Sequence, residues 1–214
     1  MDNQIRLEFW KKVGEVYPDV IIPLINPAFV NNLPKWPSLE QSFLTLKKPN
    51  GNIIIATNGL SNKFDPNLGH QNLNTNGFEI ELYVETDEQI ENPQNSYQFD
   101  IVYQMALQVA NGADIKSMLD KYGVITAELY DVRVPMEFKN SEGRVGVMIG
   151  LHSNDVPDTL QLSLSQTKIV NVKLLTIKEL EYASANGAKG RENLKDLFSK
   201  GSNTVSNLTR ESVV

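Results

Sequence analysis

Apolar residues recur along the chain with two periods, one typical of helices and one typical of strands. A period of three to four residues predicts helices over residues 2–17, 96–110, 176–186 and 190–201, with a shorter helical turn over 113–123. Ser96 is a favourable N-cap for the helix over 96–110. Thr176 and Glu179 form a capping-box pattern at the start of the next helix, and Asn186-Gly187 predicts its end.

A period of two residues predicts the strands of a sheet. Residues 42–47 and 52–57 are joined through Asn50-Gly51, which is a strong signal for a β-hairpin. After Gly77, two sets of residues alternate, namely Phe78, Ile80, Leu82 and Val84 with Glu79, Glu81, Tyr83 and Glu85. Because successive side chains of a strand point to opposite faces, we expect the first set to face the core and the glutamates to face water. Further strand-like runs cover residues 124–138, 144–151 and 168–175.

This mixture of elements predicts an α+β fold, in which helices pack on one twisted, mixed and mainly antiparallel sheet. Five prolines from Pro18 to Pro37 predict an extended wrapper, because proline lacks the donor that a helix interior or a central strand needs. We expect a single domain over residues 1–200, with the first helix and the wrapper in 1–39. Residues 201–214 lack a core pattern, and we expect them to form a polar tail that frays.

The composition is that of an ordinary globular chain, with 214 residues of which 41% are hydrophobic and 21% are charged. A net charge of −6 disfavours binding to nucleic acid and steers basic partners towards the surface. The sequence has no cysteine, which excludes disulfides, thiolate metal sites and cysteine nucleophiles. Without a signal-peptide pattern or an apolar run of about 18 residues, we expect a cytoplasmic protein that does not contact a membrane.

Motifs that enzymes share widely are missing from the sequence. It contains no Gly-x-Ser-x-Gly elbow, no phosphate-binding loop and no His-Glu-x-x-His metal motif. His152 with Asp155 and Asp158 is a cluster that could serve a hydrolase, but loop residues of these types are most often solvated. We therefore expect no catalytic residue, no metal and no cofactor, and a hydrolase at this cluster is the less favoured alternative.

The turn at Asn58-Gly59 opens a long polar loop. Three isoleucines precede the turn, and both turn residues tolerate the left-handed conformations that a tight turn demands. From Ser61 to Asn76 the chain is rich in asparagine and longer than most connections between elements. Loops of this length are often functional, and we interpret this one as either a contact loop or a tolerated surface insertion.

Two motifs resemble those of the suppressor-of-fused (SUFU) domain family. The first motif is a Gly-Leu-Ser turn, a variable loop and a Gly-Phe-Glu strand start, which correspond to Gly59, Leu60, Ser61, Gly77, Phe78, Glu79 and Leu82. The second motif, Val172 to Ala183, is similar to the family's closing strand and its Thr-x-x-Glu-Leu helix start. The helix over 96–110 also falls where the family places one, so the resemblance spans residues 40–200. Asn62 is a departure, since many relatives carry an acidic residue there.

The resemblance implies a non-enzymatic domain that binds another protein. Single-domain bacterial relatives are interpreted as immunity proteins, which neutralise toxins of polymorphic secretion systems. An acidic chain would meet a basic toxin domain faster because of electrostatic steering. We expect contacts from the polar loop and the acidic strand face, namely Asn62, Lys63, Phe64, Asp65, His70, Glu79, Glu81 and Glu85. A peptide-binding adaptor that adds a strand to a sheet edge is the alternative.

Overall fold

A mixed sheet forms the centre of the protein. The computed structural model describes residues 1–23, 35–69, 74–201 and 204–214. The described residues form nine strands, which are β1 (Glu15–Val16), β2 (Ser42–Lys47), β3 (Ile53–Asn58), β4 (Ile80–Thr86), β5 (Ile125–Leu129), β6 (Val145–Ile149), β7 (Thr159–Gln161), β8 (Gln166–Leu174) and β9 (Val205–Ser206). The predicted hairpin is confirmed, because β2 and β3 pair antiparallel along their whole length.

The strand order across the sheet is β1-β2-β3-β4-β8-β6-β5, with β7 paired to β8 and β9 paired to β4. β4 runs parallel to β8 and to β9, and the other strand pairs are antiparallel. The outer edge of β2 is covered by β1 and by a bridge between Ile21 and Phe43. The predicted mixed and mainly antiparallel sheet is therefore confirmed.

Helices cover both faces of this sheet. The described ranges contain four α-helices, which are α1 (Asp2–Val13), α2 (Tyr97–Ala110), α3 (Ile115–Tyr122) and α4 (Ile177–Phe198). α2 and α3 pack on one face, where Ile101 lies in the same core cluster as Leu82. α1 covers the opposite face through Trp10, which packs with Tyr83, and α4 covers it beside β6. None of these helices is long and apolar enough to cross a lipid bilayer.

β4 is buried on both faces, and the prediction that its glutamates face water is wrong. Ile80, Leu82 and Val84 belong to the core on the α2 side, as expected. Glu81 and Glu85, however, are only 0% and 1% exposed. Alternation along a strand shows that its two faces differ in polarity, but here the polar face is covered and its charges are paired internally. The sequence pattern contains no information about what covers that face.

Local sequence signals set several helix ends. Ser96 caps α2, and Thr176 with Glu179 forms the predicted capping box at the start of α4. α1 ends at Val13, earlier than predicted, because the following residues are extended and Val16 pairs in β1. The strand expected over residues 124–138 is shorter and is limited to β5, and β7 lies outside every predicted strand.

Gly187 interrupts α4 with non-helical backbone angles, φ 56° and ψ −132°. The predicted helix stop is therefore a kink, after which Leu194 and Phe198 return to the core as expected. Gly146 of β6 allows α4 to approach the sheet closely, since a Cβ at this position would lie 2.8 Å from the Leu180 side chain. Gly146 and Gly187 thus both affect how α4 lies on the sheet.

Two of the C-terminal residues form a strand of the sheet, and the prediction that the tail frays is wrong for residues 204–214. β9 pairs in parallel with Glu85 and Thr86 of β4, and Thr204 and Ser206 are buried. The apolar residues of this segment recur with neither a helical nor a strand period, which is why an apolar pattern did not indicate its place in the fold. It is fixed by polar bonds instead.

Two sequence expectations extend beyond the described part of the chain. The proline-rich wrapper is described over residues 18–23 and 35–39, where Ile21 and Trp36 are buried against the core. Residues 24–34 of the wrapper lie outside the described residues. His70 of the polar loop also lies outside them.

Candidate functional site

The turn that follows β3 is held by the carboxylate of Glu81. One carboxylate oxygen accepts hydrogen bonds from the backbone N–H of Gly59 and of Ser61, each at 3.0 Å, and from the Ser61 hydroxyl at 2.6 Å. The other oxygen accepts a hydrogen bond from the Thr57 hydroxyl at 2.5 Å. Charge-assisted bonds of this kind are the stronger ones in proteins. The carboxylate of β4 therefore fixes the backbone of the turn.

Arg6 of α1 neutralises this carboxylate and binds the other side of the turn. Its Nε lies 3.6 Å from Glu81 Oε1 and donates to Asn58 Oδ1 at 2.7 Å. Its Nη2 donates to Asn62 Oδ1 at 2.5 Å. Both members of the ion pair are buried, and removing one of them would leave an unpaired charge in the interior. We define the turn network as Arg6, Asn58, Ser61, Asn62 and Glu81.

α1 also holds the far end of the polar loop. The carboxylate of Asp2 accepts hydrogen bonds from the Asn76 amide at 2.9 Å and from the Ser163 hydroxyl at 2.8 Å. Burial raises the pKa of Asp2, but the hydrogen bonds from Ser163 and Asn76 outweigh it, so that the pKa lies below its ordinary value. Asn62 and Asn76, the two ends of the loop, are therefore both anchored on the first helix.

Glycine is required at two positions where the turn meets the start of β4. Gly59 and Gly77 have positive φ angles of 145° and 49°. A Cβ at Gly77 would lie 2.3 Å from the Leu60 carbonyl oxygen and 2.6 Å from that of Asn62. The next residue, Phe78, donates its N–H to the Leu60 carbonyl at 2.9 Å. The residues of the first SUFU-like motif thus form one packed unit.

We expect Gly77→Ala to destabilise the protein much more than Gly69→Ala. Both glycines have a positive φ, but a Cβ at Gly69 would meet nothing within 4 Å. The strain of about 1–2 kcal/mol for a non-glycine residue in this region is common to both variants. The clash with two carbonyl oxygens is added only at Gly77. Urea unfolding of the two variants measures the difference, and equal losses would contradict the close contact between turn and strand.

Glu79, which belongs to that motif and directly precedes β4, links the start of β4 to α3. It has a left-handed backbone conformation with φ 55°, and its carboxylate lies 2.8 Å from Lys116 Nζ. The hydrogen bond to Glu79 and the charge of that carboxylate raise the pKa of Lys116. The pair lines a cleft of about 430 Å³ at the surface. Glu79 is thus partly accessible, unlike the other two glutamates of the strand.

The outer side of the turn network is a surface with grouped apolar side chains. We define this α1–turn face by Met1, Val20, Ile22, Leu39, Glu40, Lys63 and Asp65. The four apolar members are all exposed, and Ile22 is 63% exposed. These residues line two adjoining clefts of about 340 and 390 Å³, which share Asn3, Leu39, Glu40 and Asn62. Contiguous exposed apolar side chains with polar neighbours are typical of protein interaction sites.

Three of the predicted contact residues lie on the loop that leaves the turn beside this face. Lys63 is exposed, whereas Phe64 is half-buried, with its ring edge-on to that of Phe78 and 5.5 Å between the centroids. Asp65 accepts a hydrogen bond from the N–H of Asn67 and caps a short 3-10 turn. The loop therefore leaves the turn in a defined conformation, and it presents Lys63 from a fixed backbone.

The other predicted contact residues have different environments. Asn62 is buried, and its amide donates to the Ser38 hydroxyl at 2.9 Å. Glu81 and Glu85 are buried, so β4 does not offer the acidic contact face that the alternation predicts. His70 lies outside the described residues. The part of the expected contact surface that reaches the exterior is thus the loop together with Glu79.

Glu85 has its own buried cation. Lys48 Nζ lies 2.8 Å from Glu85 Oε1 and 3.1 Å from Asp155 Oδ2. The Asn52 amide and the Thr204 hydroxyl also donate to Glu85, at 2.7 and 2.8 Å. This carboxylate therefore joins the β2–β3 hairpin, β4 and the C-terminal residues, and its role in the structure is to hold these elements together.

The structure does not bring His152, Asp155 and Asp158 together as one cluster. His152 Nδ1 lies 2.8 Å from Asp158 Oδ2, but the two side chains are 64% and 57% exposed. Asp155 is paired with Lys48 instead. A general base works best in an oriented setting that excludes water, and this pair lies in solvent. In the part of the chain that the structure describes, no group of three or more His, Cys, Asp or Glu residues could hold a metal ion.

Sequence reasoning missed Arg6 and Lys48, the two cations that neutralise the polar face of β4. Arg6 lies on the buried side of α1, which also carries Trp10 and Val13. A charged residue on an otherwise apolar helical stripe is the signal that could have indicated a buried ion pair. Lys48 follows β2 beside a turn, where lysine is usually exposed, and it carries no comparable signal.

These elements define the protein as an α+β chain with a SUFU-like fold. A chain in the Sufu–Fu complex crystal structure matches with a TM-score of 0.54 and 14% identity, over 99% of this chain and 90% of that chain. The crystal structure of Drosophila Suppressor of Fused matches with a TM-score of 0.42 and 17% identity, over 78% of this chain and 39% of that chain. No family model and no curated protein matches the sequence. The likeness establishes the fold that the sequence resemblance predicts.

Proposed function

We propose that this chain is a non-enzymatic protein-binding domain, and more specifically an immunity protein that neutralises a toxin of a bacterial polymorphic toxin system. It acts in the cytoplasm and requires no cofactor. The toxin domain binds at the α1–turn face and at the adjoining loop residues Lys63, Phe64 and Asp65. Neutralisation follows from occupation of the toxin surface and not from a chemical change in the toxin.

The observation that carries this proposal is a group of exposed apolar side chains on a rigidly held surface. Val20, Ile22 and Leu39 provide the apolar centre of a contact patch, and Glu40 and Lys63 provide its polar border. Protein interfaces have the same arrangement of an apolar centre and a polar rim. Because the turn network fixes the backbone beneath the patch, little conformational entropy is lost on binding.

The ionisable groups of β4 support binding over catalysis. Glu81 and Glu85 each accept several hydrogen bonds and are paired with Arg6 and Lys48. A catalytic acid or base has to reach the proton that it transfers, and these carboxylates are enclosed by their own donors. We therefore assign a structural role to Glu81 and Glu85 and to the cations that pair with them.

Charge and fold likeness both support a protein partner. The net charge of −6 favours fast association with a basic protein. The similar chain in the Sufu–Fu complex crystal structure belongs to a complex between two proteins. That complex is a precedent for protein binding by this fold, and the toxin partner is our inference from the charge and from the sequence resemblance.

We expect the double variant Ile22→Lys/Glu40→Lys to capture its partner roughly tenfold less well, or worse, because it places charge in the apolar centre and opposes a basic partner with positive charge at the rim. Both residues are exposed, so the fold should be retained, as circular dichroism and urea unfolding can verify. The measurement is affinity capture by the immobilised full chain from a lysate of the source organism, with quantitative mass spectrometry of the bound proteins.

A matched control is the double variant Met136→Lys/Glu137→Lys, which makes the same charge changes at exposed positions outside the α1–turn face. It should capture the partner as well as the native chain. Equal capture by the two double variants would exclude the α1–turn face as the contact surface. Capture of a partner that has no toxin domain would exclude the immunity role and would leave protein binding in place.

A further inference from the structure

The sheet contains a gap between β4 and β8 that the chain fills with its own C-terminus. β4 pairs with β8 from Ile80 to Tyr83 and with β9 at Glu85 and Thr86. Since β3 occupies the other side of β4, β8 and β9 follow one another along the same side. We define residues 204–214 as the C-terminal segment and the gap that it fills as the strand groove.

The β8 side of the strand groove donates hydrogen bonds to three successive residues of the C-terminal segment. The bonds run from the Asn171 amide to the Thr204 carbonyl at 3.2 Å, from Lys173 Nζ to the Val205 carbonyl, and from the Leu174 N–H to the Ser206 hydroxyl at 3.0 Å. Each residue of the inserted strand is therefore contacted through a polar atom of its own. These bonds add to the backbone pairing of Val205 and Ser206 with β4, which is the kind of contact that strand-addition sites for peptides use.

Carboxylates complete the strand groove, and each accepts a hydrogen bond from a different residue of the segment. Glu85 accepts from Thr204 at 2.8 Å, Asp87 from Asn207 at 2.6 Å, Glu88 from the Leu208 N–H at 2.8 Å, and Glu179 from both terminal nitrogens of Arg210 at 2.6 and 2.5 Å. The groove thus fits a segment with two hydroxyl side chains two residues apart, an extended backbone between them, and an arginine four residues after the second.

Polar bonds, and not apolar burial, hold the C-terminal segment in place. Leu208 packs against the core but is only partly buried, and Val213 and Val214 are exposed. Hydrogen bonds within a protein are exchanged for hydrogen bonds to water when a segment opens, so their net contribution is modest. Elements with few apolar contacts open locally before the whole protein unfolds. The strand groove can therefore empty while the rest of the sheet stays folded.

We propose that the strand groove is a peptide-recognition site and that the C-terminal segment is its intramolecular occupant. The partner is a segment of another protein that carries hydroxyl side chains and an arginine, pairs in parallel with β4 at Glu85 and Thr86 and places the arginine on Glu179. The arginine complements the charge of Glu179, and hydroxyl and amide donors complement Glu85 and Asp87, which is why a segment of this chemistry is the fitting occupant. The C-terminal segment competes with it at a high effective concentration. This site is separate from the α1–turn face and does not depend on the proposed function.

A fluorescently labelled peptide of the sequence TVSNLTRESVV, added to the full chain, tests this proposal by anisotropy. We expect saturable binding, and we expect a peptide with Arg210→Ala to bind roughly tenfold more weakly or worse. A full-length Asn207→Ala variant keeps the Arg210–Glu179 pair and loses the bond to Asp87. It should bind the native peptide several-fold more tightly than the native chain does, because its own segment competes less well.

Equal affinity of the two peptides, or no binding to either protein, would overturn the proposal. If the full chain formed a dimer that the peptide dissociated, a second copy of the chain would be the occupant of the strand groove. That result would overturn the assignment of the groove to a segment of another protein. Hydrogen exchange of the native chain adds an independent measurement. The amides of residues 205, 208 and 213 should exchange faster than those of β3. Equal protection of the two sets from hydrogen exchange would show that the C-terminal segment does not leave the groove and would contradict the proposal.

Discussion

Replacing Glu81 with alanine should lower the free energy of unfolding by about 3–5 kcal/mol, the usual loss when one member of a buried ion pair is removed. The substitution leaves the guanidinium of Arg6 buried without its carboxylate. It also removes the acceptor for the N–H groups of Gly59 and Ser61, which direct the turn after β3. Since ordinary domains are stable by only about 5–15 kcal/mol, this loss is a large part of the total.

Urea unfolding of Glu81→Ala and of two reference variants measures this effect. Glu8→Ala removes a carboxylate from the exposed pair with Lys11 and should cost at most about 1 kcal/mol. Arg6→Met/Glu81→Leu replaces both charges with apolar groups and should be less damaging than Glu81→Ala alone, because no unpaired charge remains. If Glu81→Ala cost no more than Glu8→Ala, the turn network would not be a determinant of the fold.

The second large effect is a dependence of stability on pH that arises from Lys173. Burial lowers the pKa of this lysine from 10.5 to about 7, and repulsion from Arg210 adds to the effect against the attraction of Glu179. Between pH 7 and 10 the unfolded chain therefore binds more protons at this position than the folded chain. Stability should rise with pH over that interval, by at most about 1.4 kcal/mol per pH unit.

The free energy of unfolding of the native chain and of Lys173→Met, measured at each pH from 6 to 10, isolates this contribution. The other ionisable groups, including Glu85 and Asp87 near the lysine, are common to both proteins and largely cancel in the difference. The native chain should gain stability relative to the variant as the pH rises above 7. A difference that stays constant, or that falls with pH, would show that Lys173 keeps its ordinary pKa in the folded protein.

Elements set by neighbouring residues could be predicted from the sequence. The β2–β3 hairpin follows from Asn50-Gly51 between two apolar runs, and the start of α4 follows from the capping box at Thr176. The SUFU-like fold could also be predicted, because the turn motif and the closing strand-helix motif keep their order along the chain. For the hairpin and the helix start, the information lies within a few residues of the feature.

The environment of the β4 glutamates could not be predicted in this way. Their alternation with apolar residues correctly indicates that the two faces of the strand differ in polarity. The cation that pairs with buried Glu81, however, is Arg6, which is far away in the sequence. Lys48, which pairs with buried Glu85, is also distant from it in the sequence. A single sequence contains no direct signal for such pairs. The candidate contact surface therefore moves from the strand to the α1–turn face, where distant exposed segments meet.

The C-terminal segment shows the same limitation for polar contacts. Its composition lacks the apolar periodicity that predicts a core element, so the expectation of a frayed tail is reasonable on local grounds. Its place in the sheet depends on bonds to residues more than 30 positions away, such as the pair of Arg210 with Glu179. Long-range polar complementarity of this kind becomes visible only in three dimensions.

We propose that this chain acts by occupying a protein partner, with no bond made or broken. The most direct test is to titrate the toxin activity of the captured partner with the purified full chain. We predict that activity falls in proportion to the added chain and reaches zero at a fixed molar ratio, with both proteins recovered chemically unchanged. Progressive loss of activity at a small fraction of that ratio, with a covalent change in the toxin, would contradict the claim and identify an enzyme.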